Sequence, residues 1–209
     1  MPAAAPARRT QEQRSALSDQ RMIAAAISLI LEVGVPGTTL AAIGERAGYS
    51  RGLVTHRYGS KAGLLTQVHA TAVKDWIGRV QASVGKTDGL AALMRVIDAL
   101  HGFLVDFPDE IRAMYLLRYS SIDPGAEYRD AVMRTHRAQR RDAQKWIEAG
   151  QREGSIRADL DAAVQAELFC ATLDGITYRW LVLPEVKLDD LRDLLKRQLR
   201  ALMASPRRA

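Results

Sequence analysis

TTLAAIGERAGYSRGLVTHRYGSKAGLL, residues 38–65, holds two eight-residue windows, LAAIGERA and RGLVTHRY, each preceded by a hydroxyl residue and followed by glycine. A helix of about two turns does not survive alone in water, because nucleation is costly, so both windows need neighbours to hold them. Thr38 or Thr39 is placed to cap the first and Ser50 the second, with Gly48 between them and Gly59 after. Ser60 and Lys61 then open a further helix that runs to about Ser83. Leu40, Ile43 and Ala47 share one face of the first window, and Val54 and Tyr58 one face of the second, so the two can meet along an apolar seam.

Upstream, Ser18 and Asp19 are expected to open a helix with Ile23, Ala26, Ile27, Ile30 and Leu31 in one stripe, ending at Gly34 with Pro36 just beyond. Three short helices with a tight glycine-containing turn before the third describe a helix-turn-helix, whose last helix enters a DNA major groove. Residues 1–17 lack apolar periodicity and read as a flexible basic arm. Its Arg8, Arg9 and Arg14 would suit a minor groove, as homeodomain arms do, although basic tails without that role are common.

Helical spacing continues downstream through windows at 90–107, 109–119, 127–154, 161–183 and 188–203, broken at GKTDG, Pro108, SSIDPGA, GSIRADL and Pro184. Alternating Val/Ile/Thr runs and Asn-Gly turns are nearly absent, so the expected fold class is all-α, with nine helices. The expected organisation is a helix-turn-helix domain at 18–60 and a larger helical domain at 61–209. In the eighth helix Val164, Leu168, Ala171, Gly175 and Ile176 lie on one side, while Phe169, Leu173, Trp180 and Leu183 spread beyond it. A helix apolar around much of its circumference must be covered on more than one side. The ninth helix adds a stripe of Leu188, Leu191, Leu194, Leu195, Leu199 and Leu202. A second copy of the chain would cover both in a four-helix interface, with Leu168, Gly175, Ile176, Leu191, Leu195 and Leu199 as contacts; the plainer alternative is that both helices close only their own core.

The chain has 47% hydrophobic and 26% charged residues, a globular balance. Its formal net charge is +6, unevenly spread: residues 1–61 carry 8 Lys/Arg against 4 Asp/Glu, and residues 62–209 carry 22 against 20. The N-terminal region is therefore the one expected to meet phosphate. A single cysteine, Cys170, excludes an internal disulfide and offers no zinc cluster, so a reducing cytoplasm is the natural setting. No apolar secretory signal is visible. The longest apolar run, AAAISLILEVGV, is interrupted by Glu32 and short of the roughly 18 residues a membrane span takes, so a soluble protein with no membrane partner is expected. A Gly-x-Ser-x-Gly elbow, a Walker loop, a His-Glu-x-x-His pair and a dinucleotide fingerprint are all missing, and the histidines are scattered. No catalytic residue, metal or cofactor is expected.

Residues 38–65 resemble the helix-turn-helix and the start of the fourth helix of the tetracycline-repressor (TetR) family of bacterial transcription regulators. The nine-helix order agrees, and REGSIRADLDAAVQAELFCATLDGITYRWLV, residues 152–182, is similar to the end of that family's ligand-binding domain. Between residues 85 and 150 only length and helicity agree. The resemblance implies that Thr39 and Ser50 cap helices at the phosphate backbone, that Arg51, Gly52 and Leu53 face base edges, and that His56 and Lys61 touch phosphates. Helix N-termini offer free N–H groups to phosphate, and arginine bonds guanine bidentately. Thr55 stands where the family usually has a tyrosine that contacts the backbone. Arg57 and Tyr58 replace a common aromatic pair, so Arg57 is expected to take over part of that contact. The resemblance further implies a homodimer on a near-palindromic double-stranded DNA operator, released when a small effector shifts the fourth helix.

Effector contacts are sought where polar residues interrupt apolar stripes. His136 and Gln139 do so among Val132, Ala143 and Trp146, and His101 does so beside Ile97 and Leu104. Phe103, Tyr115, Tyr119 and Phe169, with Trp76, Met114 and Tyr178, are candidate cavity walls, although such residues at helical spacing are usually plain core. The inventory favours an apolar or amphipathic small molecule. The same head also fits an activator or a regulator without ligand. A more distant class is an all-α enzyme whose short basic helix binds an anionic substrate.

Overall fold

The computed structural model describes residues 10–183 and 185–205. Among them the chain forms α1 (Gln11–Gly37), α2 (Leu40–Ala47), α3 (Arg51–Tyr58), α4 (Lys61–Val84), α5 (Gly89–Asp106), α6 (Pro108–Ser120), α7 (Arg129–Glu153), α8 (Ala162–Val182) and α9 (Leu188–Met203). The only strand-like pairing among the described residues is an isolated bridge between Ile156 and Ala204. The fold is all-α, and α2, α3 and α9 occupy the windows read from the sequence.

The first helix departs from expectation at both ends. It starts at Gln11, where Thr10 and Gln13 form a capping box: the Thr10 hydroxyl accepts from the Gln13 N–H at 3.2 Å and the Gln13 side chain accepts from the Thr10 N–H at 3.0 Å. Residues 11–17, Arg14 included, are therefore helical rather than arm-like, while Arg8 and Arg9 lie outside the described residues. Apolar periodicity missed this turn because its residues are largely exposed and polar. At the other end Gly34 has φ 72° and ψ 171°, a break in the helix, and one further turn carries Pro36 and the buried Val35. By length and composition α1 is apolar enough to cross a membrane, contrary to the expectation from its longest run. Its stripe of Met22, Ile23, Ala26 and Ile30 is instead buried within the fold.

Two apolar cores result. The first joins α1, α2 and α3 to Leu64, Leu65 and Val68 of α4, Ala113 and Leu117 of α6, and Val132 of α7. The second gathers Ala72, Trp76 and Val84 of α4 with α5, the rest of α6 and α7, and parts of α8 and α9. Three helices, α4, α6 and α7, thus contribute to both cores. A boundary at residue 60 divides the sequence but not the packing.

Candidate functional site

Helices α2, α3 and α4 each have a hydroxyl at the N-cap. Thr39 accepts from the Ala42 N–H at 3.2 Å, Ser50 from Leu53 at 3.1 Å and Ser60 from Gly63 at 3.0 Å. Thr38, the other candidate cap, is buried, and its hydroxyl donates to the Gly34 carbonyl at 2.9 Å. Between α2 and α3 the chain turns at Gly48, whose φ of 78° suits glycine. Gly44 lets the turn close: a Cβ there would stand 2.9 Å from the Tyr49 carbonyl oxygen and 3.2 Å from the Arg51 nitrogen.

The back of α3 is fixed by Val54, which is fully buried with Ile43 and Ala47, while Leu53 and Tyr58 pack partly against the same core. Nucleating an isolated helix costs about 4 kcal/mol from an equilibrium factor near 10⁻³. Burying one Val contributes roughly 1.5–3 kcal/mol, so Val54 and its two neighbours together offset that cost. The front is open, with Arg51, Gly52, Thr55 and His56 all exposed.

Arg57 has a different position from the one expected. Its Nη1 donates to the Asp19 carboxylate of α1 at 2.8 and 2.9 Å and to the Ser15 hydroxyl at 2.7 Å, and the Tyr58 hydroxyl donates to the same carboxylate at 3.0 Å. Burial, then the Asp19 hydrogen bond, pushes Tyr58 up to about 12. With its charge balanced by Asp19, Arg57 is a brace between α1 and α3 and not an open cation. Lys61 donates from Nζ to the Pro36 carbonyl at 2.9 Å and keeps its charge unpaired by any carboxylate among the described residues.

The larger part of the molecule contains two adjoining chambers. An inner one of about 290 Å³ is walled by Trp76, Phe103, Met114, Trp146 and Phe169, with Gln139 and Cys170 among its polar contributors. An outer, more open one of about 550 Å³ is lined by Tyr119, Ile122, Arg129, Met133, His136 and Arg137. Tyr115, Arg118 and Asp174 belong to both. Of the effector candidates, Phe103, Tyr115, Gln139 and Phe169 therefore meet at the inner chamber, and Tyr119 and His136 at the outer. His101 meets neither: its Nε2 lies 3.0 Å from Asp189 of α9, so it ties α5 to the terminal helix.

Arg118 and Asp174 were missed by the sequence reading. Arg118 Nη1 donates to Asp174 Oδ1 at 3.0 Å, and the Tyr115 hydroxyl donates to the same oxygen at 2.8 Å. The available signal was a charge inside the apolar run AMYLLRY, at helical spacing from Tyr115. His69 of α4 lies fully inside, and burial, followed by the charge of Arg118, pulls it down to about 4. The same two causes lower His136, with Asp174 opposing them. Burial pushes the Cys170 thiol up to about 11, which leaves it an unreactive thiol near neutral pH.

Both terminal helices leave apolar side chains open. Val164, Leu168 and Val182 of α8 and Leu194 and Leu202 of α9 are exposed. Leu195 and Leu199, expected to face a partner, pack partly against the chain's own second core instead. Ile176 and Leu191 are half-buried, and Gly175 is exposed.

Comparison with known proteins agrees with this arrangement. The family model for "Bacterial regulatory proteins, tetR family" matches residues 22–68, and that for "BetI-type transcriptional repressor, C-terminal" matches residues 115–204. The HTH-type transcriptional regulator TtgR of Pseudomonas putida is 30% identical over 199 residues, spanning 90% of this chain and 91% of that protein. The HTH-type transcriptional regulator BetI of Burkholderia mallei is 35% identical over 80 residues, 38% of this chain, so the match spans only 41% of that relative's length. A solved structure described as a transcriptional regulator from Saccharomonospora viridis in complex with choline superposes with a TM-score of 0.78 at 20% identity. That match covers 91% of this chain and 100% of the other, and at such identity it speaks for the fold alone. With both ends of the chain matched and TtgR alike along nearly its whole length, the chain belongs to the TetR family of bacterial regulatory proteins.

Proposed function

We propose that this chain is a homodimeric repressor that binds a near-palindromic DNA operator and is released by a small molecule entering its helical chambers. The family is one of transcription regulators and not of enzymes, which sets aside the catalytic alternative. The observation that carries the reading is the two-sided α3, with Val54 sealed behind and Arg51, Gly52, Thr55 and His56 free in front. Arg51 and Gly52, with Leu53 at the same end, address base edges. Thr39 and Ser50 bring capped N-termini to the backbone, and Lys61 supplies a phosphate contact. The head at residues 18–60 is the DNA-binding part, and residues 61–209 sense the ligand and pair the subunits. The protein works in the cytoplasm, where its DNA is.

Selection from random duplexes tests this directly. The expected product is an inverted repeat whose half-sites lie about one helical turn apart, bound with an affinity that falls steeply as salt rises. Arg51→Ala is expected to relax base preference by about 1–3 kcal/mol at its position, and Lys61→Ala to weaken all sequences alike. A monomeric protein, or a salt-independent affinity, would overturn the proposal.

A further inference from the structure

We propose that the effector is an amphipathic organic anion whose apolar body fills the inner chamber and whose acidic group meets Arg118 at the wall between the two chambers. The inference rests on the ligand-responsive reading above. Arg118 is only 9% exposed and lines both chambers. Among the described residues its guanidinium makes one hydrogen-bonded pairing, from Nη1 to Asp174, and Nε is buried with no partner. A cation removed from water with donors unmatched is costly, and an oxygen anion at that wall removes the cost. His69 Nε2 is likewise buried and unpartnered, and after burial the charge of Arg118 is the next cause that lowers both His69 and His136.

The charge around the wall points the same way. Arg118, Arg129 and Arg137 line the outer chamber against one carboxylate, Asp174, and neither Arg129 nor Arg137 is paired with a carboxylate among the described residues. An organic cation would find aromatic walls but only a carboxylate already charge-balanced by Arg118. Asp174 gives its Oδ1 to Arg118 and Tyr115 and its Oδ2 lies 3.7 Å from His136 Nδ1, and Asp142 is 57% exposed and 3.5 Å from Lys145. Arg118 follows Leu117, which belongs to the core of the head, so a ligand that draws the guanidinium from Asp174 pulls on the packing that orients α3.

Direct titration of the full-length protein, read by calorimetry and by tryptophan emission, compares octanoate, octyl phosphate, octanol and octyltrimethylammonium. The two anions are expected to bind about tenfold or more tightly than the alcohol and the cation, and the tighter of the two names the head group. Arg118→Gln is expected to erase that preference while octanol still binds, and Arg118→Lys to restore part of it. Because Arg118 is buried, thermal melting accompanies these variants, and Arg129→Gln combined with Arg137→Gln gives a second test at half-exposed and exposed positions. That pair should lower anion affinity about threefold with stability unchanged. Binding of the cation as tight as that of the anions, no binding of any probe, or an anion preference that survives both sets of variants would overturn the proposal. Anion binding by a protein with no affinity for DNA supports the chamber assignment and sinks the regulator reading.

Discussion

Asp19 shows how one carboxylate governs the aim of a recognition helix. It accepts from both Arg57 and Tyr58, the last two residues of α3, so the helix is fixed to α1 at its end as well as along its back. Asp19→Ala leaves a half-buried guanidinium uncompensated and is expected to cost about 1–3 kcal/mol in denaturant unfolding. Tyr58 should then titrate below about 12 while burial still holds it above its ordinary value, read by ultraviolet absorbance. DNA affinity should fall for all sequences alike, since no base contact is touched. His69 makes a second prediction. As a base whose folded value of about 4 lies below its ordinary 6.5, it binds fewer protons folded than unfolded, so stability falls as pH drops through that window and levels off below it. The loss approaches about 3 kcal/mol, and His69→Leu should remove most of it in melts across that range. His136 of α7 is lowered in the same sense, by burial and then by the charge of Arg118, and adds to that slope. Neither residue-scale role was legible beforehand. A sequence shows that Arg57 is charged, but not that a carboxylate 38 positions away will reach it.

At the scale of elements, the close approach of α2 and α3 depends on Gly44. A Cβ there meets backbone atoms of Tyr49 and Arg51 that have no rotamer with which to yield. Gly44→Ala is expected to cost about 1–3 kcal/mol and to weaken DNA binding beyond that loss, because the turn must open and tilt α3. Glu45→Ala, at the exposed neighbour, should stay within about 0.5 kcal/mol in the same assay. Elements with local signals were the legible ones: the hydroxyl caps and the glycines at 48 and 59 bound α2 and α3 without knowledge of anything distant. The first turn of α1 carried a capping box too, but on a polar face that periodicity does not register. The double membership of α4 was hidden for another reason. Its buried face is broken only by His69, and the partners on its two halves, Leu65 and Val68 on one core and Ala72 and Trp76 on the other, separate them. For the same reason a helix shared by both cores is the natural carrier of any signal from the chambers to the head.

Across the whole molecule, the surface that asks for a partner is the open apolar face of α8 and α9. Val164, Leu168, Leu194 and Leu202 are exposed on helices that pack their other sides into the second core, as the proposed dimer requires. The sequence showed too many apolar positions for one core, but not their division, because adjacent leucines such as Leu194 and Leu195 differ by only one helical step. The structure separates them: Leu194 is open and Leu195 packs inward. This division makes the dimer reading testable against a simple fold defect. Leu168→Glu with Leu202→Glu is expected to give a monomer by sedimentation, with helical content and melting little changed. Leu195→Glu should instead lower stability by about 2–5 kcal/mol, since it places a charge among residues of the chain's own core. Two heads joined in one dimer engage the second half-site at high effective concentration, so the monomeric variant should bind a paired site about 10²–10⁴-fold more weakly while its affinity for a single half-site is unchanged. A Leu168→Glu, Leu202→Glu protein that remains dimeric would show that the subunits meet elsewhere, and the spacing of operator half-sites would then have to be argued from that other surface.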